Sequence, residues 1–129
     1  LAEEIRRNQP EVVLHLAAQL LVRESYRDPR TTMETNVMGT FNVLEGLTAS
    51  NSLQCAVLIT TDKVYRNVNQ RAGYVEEDPL GGHDPYSSSK AMSDLLIQSW
   101  AASFGGPPIA IARAGNIFKQ FQGFFHGHV

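Results

Sequence analysis

With 129 residues the chain is long enough for one domain or part of one. Its 43% hydrophobic and 19% charged residues are the mix of an ordinary globular protein, and a net charge of −2 offers no footing for nucleic acid or an anionic membrane. No apolar run reaches the roughly 18 residues of a spanning helix, and no secretory leader, internal repeat or low-complexity tract is visible.

In chain order, Leu1 and Ile5 among charged residues read as the last turns of an amphipathic helix, ended by Gln9-Pro10. The first residue is not methionine and the pattern there is already helical, so the expectation is a fragment of a longer protein. Residues 11–18, with Val12, Val13, Leu14 and Leu16, read as a short strand buried on both faces, as in a parallel sheet. Residues 20–26 read as a loop or short helix. Asp28-Pro29 is an N-cap followed by proline at the first helical position. It predicts a helix to about residue 50, with Met33, Val37, Phe41, Leu44 and Leu47 as its apolar stripe.

Residues 54–60 repeat the buried-strand pattern with Ala56, Val57, Leu58 and Ile59. The lone Cys55 sits in that run as a small buried hydrophobe. It has no partner for an internal disulfide, which suits a reducing, cytoplasmic setting. Residues 61–83 hold Asn67, Asn69, Gly73, Pro79, Gly81 and Gly82 and read as a long loop; inside a compact domain such a loop is usually functional. Asp84-Pro85 starts a second long helix to about residue 104, with Met92, Leu95, Leu96 and Trp100 expected to face inward. Gly105-Gly106-Pro107-Pro108 stops it. Residues 109–113 make a third short strand. Residues 114–129 read as irregular, with Phe121, Phe124 and Phe125 as an exposed apolar tail.

Strands alternating with helices imply an α/β fold with a parallel sheet and right-handed crossovers. Ligands bind beyond the carboxyl ends of such strands. Three polar clusters fall there: residues 15–19, 60–63 and 113–116.

The stretch with the most chemistry is Leu80-Gly-Gly-His-Asp-Pro-Tyr-Ser-Ser-Ser-Lys90. Tyr86 and Lys90, four apart, share one helix face. An ammonium one turn away favours the phenolate form of a tyrosine, and such a tyrosine takes a proton from a substrate hydroxyl while a hydride leaves the same carbon. Thr60-Thr61-Asp62-Lys63 places hydroxyl, carboxyl and amine just past a strand. If strand geometry persists, Thr61 and Lys63 point to one side and Asp62 to the other. Asp62 and Lys63 suit an acid and base pair; they equally suit a solvated turn closed by an ion pair. Ala17 and Ala18 would let a flat cofactor approach the backbone, or simply pack in a core. His15 receives no chemical role. Cys/His clusters with metal spacing are absent, so no metal site is expected. A nucleophile elbow and a glycine-rich phosphate loop are absent too.

Taken together, His15-Leu-Ala-Ala-Gln19, Thr35-Asn-Val-Met-Gly-Thr40, Thr60-Thr-Asp-Lys63, Tyr86-x-x-x-Lys90 and Arg113-Ala-Gly-Asn116 resemble the extended short-chain dehydrogenase/reductase family. Asp62-Lys63 and residues 80–90 are most similar to its CDP-glucose 4,6-dehydratase branch. The resemblance spans about residues 10–116. It implies a partial Rossmann-like, three-layer αβα fold, a held NAD and a nucleotide-sugar substrate, CDP-glucose. It implies Tyr86 as base for the sugar 4-hydroxyl, and Lys90 as the residue that holds the nicotinamide ribose and tunes Tyr86. Thr61 would bond the 4-oxygen, while Asp62 and Lys63 would occupy the acid and base positions for loss of water across C5 and C6. Ala17, Ala18, Gln19 and Thr60 would join Tyr86 and Lys90 around NAD, and Asn116 would touch substrate.

The dTDP-glucose branch carries glutamate where Lys63 stands. The family's glycine-rich turn would lie before Leu1, and residues 117–129 do not look like its continuation. The chain is therefore expected to be inactive alone. The helices at 28–50 and 84–104 resemble the pair that builds a homodimer in this family. The alternatives are a 4-epimerase or reductase of the same family, or a dimerisation module without catalysis. Asp62 separates the dehydratase from the epimerase, which has no water to expel.

Overall fold

The computed structural model describes residues 1–115. Helix α1 (Ala2–Asn8) leads through a left-handed Gln9 into strand β1 (Val12–His15). Helix α2 (Val22–Arg27) follows, then α3 (Pro29–Met33), a π-helical turn (Glu34–Met38) and α4 (Gly39–Leu47). Strand β2 (Cys55–Thr61) runs into a 3₁₀ turn (Asp62–Val64), and α5 (Pro85–Phe104) leads to β3 (Ile109–Ala114).

The strands form a parallel sheet in the order β1-β2-β3. Val12 pairs with Cys55 and His15 with Leu58; Ala56 pairs with Ile109 and Thr61 with Ala114. The core lies between the sheet and two helices: Val43, Leu44 and Leu47 of α4, Ala56 and Leu58 of β2, and Ile97 of α5. This is part of a Rossmann-like αβα fold. Among the described residues no helix is long and apolar enough to cross a membrane.

The local signals at 84–104 hold residue by residue. Asp84 caps α5 by accepting from the Ser87 N–H at 2.9 Å, with Pro85 in its first turn, and the chain leaves the helix at Gly105 with φ +63°. Asp28 caps α3 in the same way, accepting from the Thr31 N–H at 3.0 Å.

Three expectations change. Strand β1 ends at His15, and it is covered on one side only: Val12 and Leu14 are exposed while Val13 meets the core. Among the described residues the face that Val12 and Leu14 present is left open, so the apolar run by itself does not bury both faces. The helix expected over 28–50 is interrupted by the π turn. There the Asn36 carbonyl accepts from the hydroxyls of Thr40 (2.7 Å) and Ser93 (2.9 Å), and hydroxyls drawn into the backbone ladder widen a helix locally. Met92 and Leu95 point outward. The buried face of α5 is Ser87, Ser89, Lys90, Ala91, Ser93, Asp94 and Ile97, because small residues let α3, the π turn and α4 approach closely. The long loop is a loop as expected, closed by an antiparallel bridge between Tyr65 and Leu80.

Candidate active site

The carboxyl ends of β1, β2 and β3 and the first turns of α5 meet at one edge of the sheet. Asp84 ends the loop with both carboxylate oxygens occupied, one by the Ser87 N–H and the other by the Ser87 hydroxyl at 2.6 Å. That cap fixes where α5 begins and therefore where Tyr86 and Lys90 stand. Tyr86 is half-buried, and its carbonyl accepts from the Ser89 hydroxyl at 2.7 Å.

Lys90 is buried, and its ammonium donates to the Ile59 carbonyl at 2.8 Å. Burial pushes its pKa down and the nearby Asp94 carboxylate partly restores it. His15, half-buried at the end of β1, is held below the usual imidazole range, first by burial and then by the charge of Lys90. Both effects disfavour the charged form of the ring.

At the end of β2 the chain turns at once into the 3₁₀ turn, so the strand alternation expected for Thr61, Asp62 and Lys63 does not persist. The Thr61 hydroxyl donates to the Asp62 carboxylate at 3.0 Å and accepts from the Lys63 N–H at 3.4 Å. The Lys63 ammonium reaches the same Asp62 oxygen at 3.3 Å, with both side chains partly open to solvent. A carboxylate and an ammonium thus sit side by side at the mouth of the sheet. A cavity of about 290 Å³ lies between this turn and the start of α5, lined by Asp62, Lys63, Asn67, His83 and Ser87 among others. A larger one, of about 800 Å³, is lined by Asp62, Tyr65, Arg113 and the β3 isoleucines, so it runs along β3 rather than over Tyr86.

Thr60 faces the other way. Its hydroxyl donates to Asp94 at 3.1 Å. Asp94 is wholly buried and is the hub that sequence reading missed. Its carboxylate also accepts from Arg113 through Nε and Nη2, both at 2.9 Å, and from Gln98 at 2.6 Å. Burial raises the carboxyl, but the hydrogen bonds and charge of Arg113, with Gln98 and Thr60, outweigh it and hold Asp94 below the usual range. Arg113 is correspondingly raised, above all by its hydrogen bonds to Asp94. Through Nη1 it also donates to the Tyr65 hydroxyl at 3.0 Å and to the Glu76 carbonyl at 2.8 Å, tying the loop to the sheet.

Ala17 is exposed and Ala18 half-buried in the segment after β1. Gln19 is held in place rather than free. Its N–H donates to Asn36 at 2.8 Å, and its side-chain amide donates to Thr32 at 2.9 Å. Asn36, buried in the π turn, donates back to the Gln19 carbonyl at 3.0 Å and to Ser89 at 2.8 Å. It therefore links the residues after β1 to the helix bearing Tyr86. Asn36 lies in the Thr35–Thr40 stretch noted in the sequence; what marks it is a buried amide with every partner far away in the chain. Asn116 and the tail phenylalanines lie outside the described residues. Among the described residues, no group of three or more metal-ligating side chains is present.

Comparison with known proteins bears on the family and the fold. The family model described as GDP-mannose 4,6 dehydratase matches residues 1–123. The chain is 42% identical to the CDP-glucose 4,6-dehydratase of Salmonella typhimurium over 91% of its length, covering 35% of that protein. It is 33% identical to a probable dTDP-glucose 4,6-dehydratase of Sinorhizobium fredii, over 88% of the chain and 35% of that protein. Among solved structures, DesIV, a dTDP-glucose 4,6-dehydratase from Streptomyces venezuelae with NAD bound, superposes with a TM-score of 0.78 at 29% identity. That superposition covers 88% of this chain and 35% of DesIV. The chain thus spans about a third of the length of these relatives. Matched along nearly its whole length, and carrying the parallel sheet with its polar carboxyl edge, the chain belongs to the GDP-mannose 4,6-dehydratase family of Rossmann-like short-chain dehydrogenases/reductases.

Proposed function

We propose that this chain is the catalytic segment of an NAD-dependent nucleotide-sugar 4,6-dehydratase, a lyase acting on CDP-glucose. The observation that carries the reading is the Asp62–Lys63 pair, closed by Thr61 at the end of β2 and facing the start of the helix that bears Tyr86 and Lys90. Likeness to the Salmonella enzyme, which has CDP-glucose in its name, supports the choice of nucleotide.

The residues fit a nicotinamide cofactor. The exposed Ala17 leaves the backbone after β1 open to a flat ring, and the Lys90 ammonium lies at the carboxyl end of β2. Ala17, Ala18, Gln19, Tyr86 and Lys90 would hold the group, with Thr60 acting from behind through Asp94. Bound NAD would accept the hydride from C4 and deliver it to C6. The chain's own residues move protons. Tyr86 takes the proton of the 4-hydroxyl as C4 becomes a ketone, and Thr61 bonds the 4-oxygen. The ketone acidifies the C5 proton. Asp62 and Lys63 would remove that proton and protonate the departing 6-hydroxyl, which leaves as water, and the proton taken up would return to C5 as C6 gains the hydride. Asn116 would complete the sugar contacts.

The test uses Asp62→Asn in a full-length protein carrying this chain. The amide keeps the shape and removes the acid. Oxidation at C4 survives, while water loss slows by about 10²–10⁴-fold. A 4-keto sugar that retains its 6-hydroxyl should then accumulate, read by mass spectrometry. Full turnover to the 4-keto-6-deoxy product would reduce Asp62 to a turn residue, and a 4-epimer product would favour the epimerase reading.

A second copy of the chain is the proposed partner. Met38, Met92 and Leu95 are exposed on the helices at 28–50 and 84–104, and a symmetric dimer would cover such surface. Sedimentation at tens of micromolar should show association; a clean monomer contradicts it.

A further inference from the structure

The two halves of the candidate site lie far apart in the chain, and a short turn joins them directly. We propose that the turn at residues 80–82 is a clip that sets the spacing between Asp62–Lys63 and Tyr86, with Gly82 and Ser88 as its positioning residues. The inference rests on the dehydratase reading for the roles of the two halves.

On one side the clip is bonded to the segment that follows Asp62 and Lys63. The Gly81 N–H donates to the Val64 carbonyl at 2.7 Å, and the Arg66 N–H donates to the Pro79 carbonyl at 2.8 Å, flanking the Tyr65–Leu80 bridge. Val64 is wholly buried, so this side is anchored in the protein interior. On the other side the clip is bonded to α5, two residues past Tyr86. The Ser88 hydroxyl donates to the Gly82 carbonyl at 3.0 Å. That bond is not needed to start the helix, because Asp84 already caps it through Ser87.

The contact at Gly82 is closer than any other residue type allows. A Cβ there would lie 2.3 Å from both the Ser87 carbonyl carbon and the Ser88 nitrogen, which are backbone atoms and cannot swing aside. The backbone of residue 82 therefore rests on the first turn of α5. One turn of chain touches both chemical groups' supports at once. Moving it moves Tyr86 relative to Asp62, and a displacement near 1 Å is enough to cost about 10²-fold in a reaction needing both.

The experiment compares Ser88→Ala, Ser88→Thr and Gly82→Ala with wild type in the full-length protein. Ser88→Ala removes the tie alone. Amide exchange at Gly81, followed by NMR, should speed up by about tenfold, while amides of β2 stay at wild-type rates. In turnover with CDP-glucose, kcat should fall by about 10- to 100-fold with KM unchanged, and 4-keto sugar retaining its 6-hydroxyl should appear ahead of product. Ser88→Thr keeps the hydroxyl and should restore both readouts. Gly82→Ala should show the same partition with a larger loss. Wild-type exchange at Gly81 in both Ser88→Ala and Gly82→Ala overturns the clip. So does a uniform loss of stability with no change in the balance of keto intermediate and product. Failure of the wild-type protein to turn over any nucleotide sugar would sink the dehydratase reading alone, since the exchange measurement still decides the clip.

Discussion

Tyr86→Phe in a full-length protein carrying this chain should lower kcat for CDP-glucose by about 10²–10⁴-fold, the usual worth of a general base. The substitution deletes one oxygen from a half-buried ring at the start of α5. The helix start depends on Asp84 and Ser87, not on the phenol, so the fold should be unchanged. In the proposed mechanism the phenol takes the proton of the 4-hydroxyl, so the loss belongs to the first chemical step. The 4-keto sugar that retains its 6-hydroxyl should not accumulate, which distinguishes this variant from Asp62→Asn. Steady-state kinetics with mass analysis of the sugar reads both. A Tyr86→Phe protein that still makes the 4-keto intermediate at the wild-type rate would remove Tyr86 from the mechanism.

Asp94→Asn should be the most damaging single change to stability. Asp94 is fully buried, and the Arg113 side chain is only 13% exposed. Removing one partner of a buried pair leaves an uncompensated charge and costs about 3–5 kcal/mol. The amide also presents its NH₂ group where an oxygen accepts, so at least one donor among Thr60, Gln98 and Arg113 loses its acceptor. The pH dependence has a defined sign. The folded-state pKa of Asp94 lies below its ordinary value of 3.8. Its contribution is therefore fully present above about pH 4 and is lost as pH falls through the lower, folded-state value. Urea unfolding at pH 7 should show the cost, and acidification below pH ~4 should narrow the gap between wild type and variant. A gap that does not narrow on acidification would mean that the pair contributes shape and not charge. Asp94 also raises the pKa of Lys90. Losing its charge should weaken Lys90 as a cation and reduce activity beyond the stability effect.

The elements whose causes are local were legible in the residues alone. Asp28 and Asp84 as caps, the prolines after them, and Gly105 as a stop act within a turn or two of their own positions, and the helix starts fell where they predict. The runs at 55–61 and 109–114 became parallel strands because short apolar segments set between helices have few other ways to satisfy their backbone. The same locality let the motif residues be placed at one sheet edge, since the end of a strand and the start of a helix locate a side chain without any tertiary knowledge.

Which face of α5 is inside was settled by packing between distant elements. Periodicity favoured Met92 and Leu95, but close approach of neighbouring helices selected the small residues on the opposite face and left those two outside. The π turn appeared because Ser93, far away in the chain, reaches the Asn36 carbonyl. The Asp94–Arg113 hub and the contact of Gly82 with α5 depend on groups brought together by the crossover of β2 and β3 around the helix. A carboxylate on a helix and an arginine on a strand carry no local mark of their pairing. Their attraction becomes large only where folding has excluded water from both.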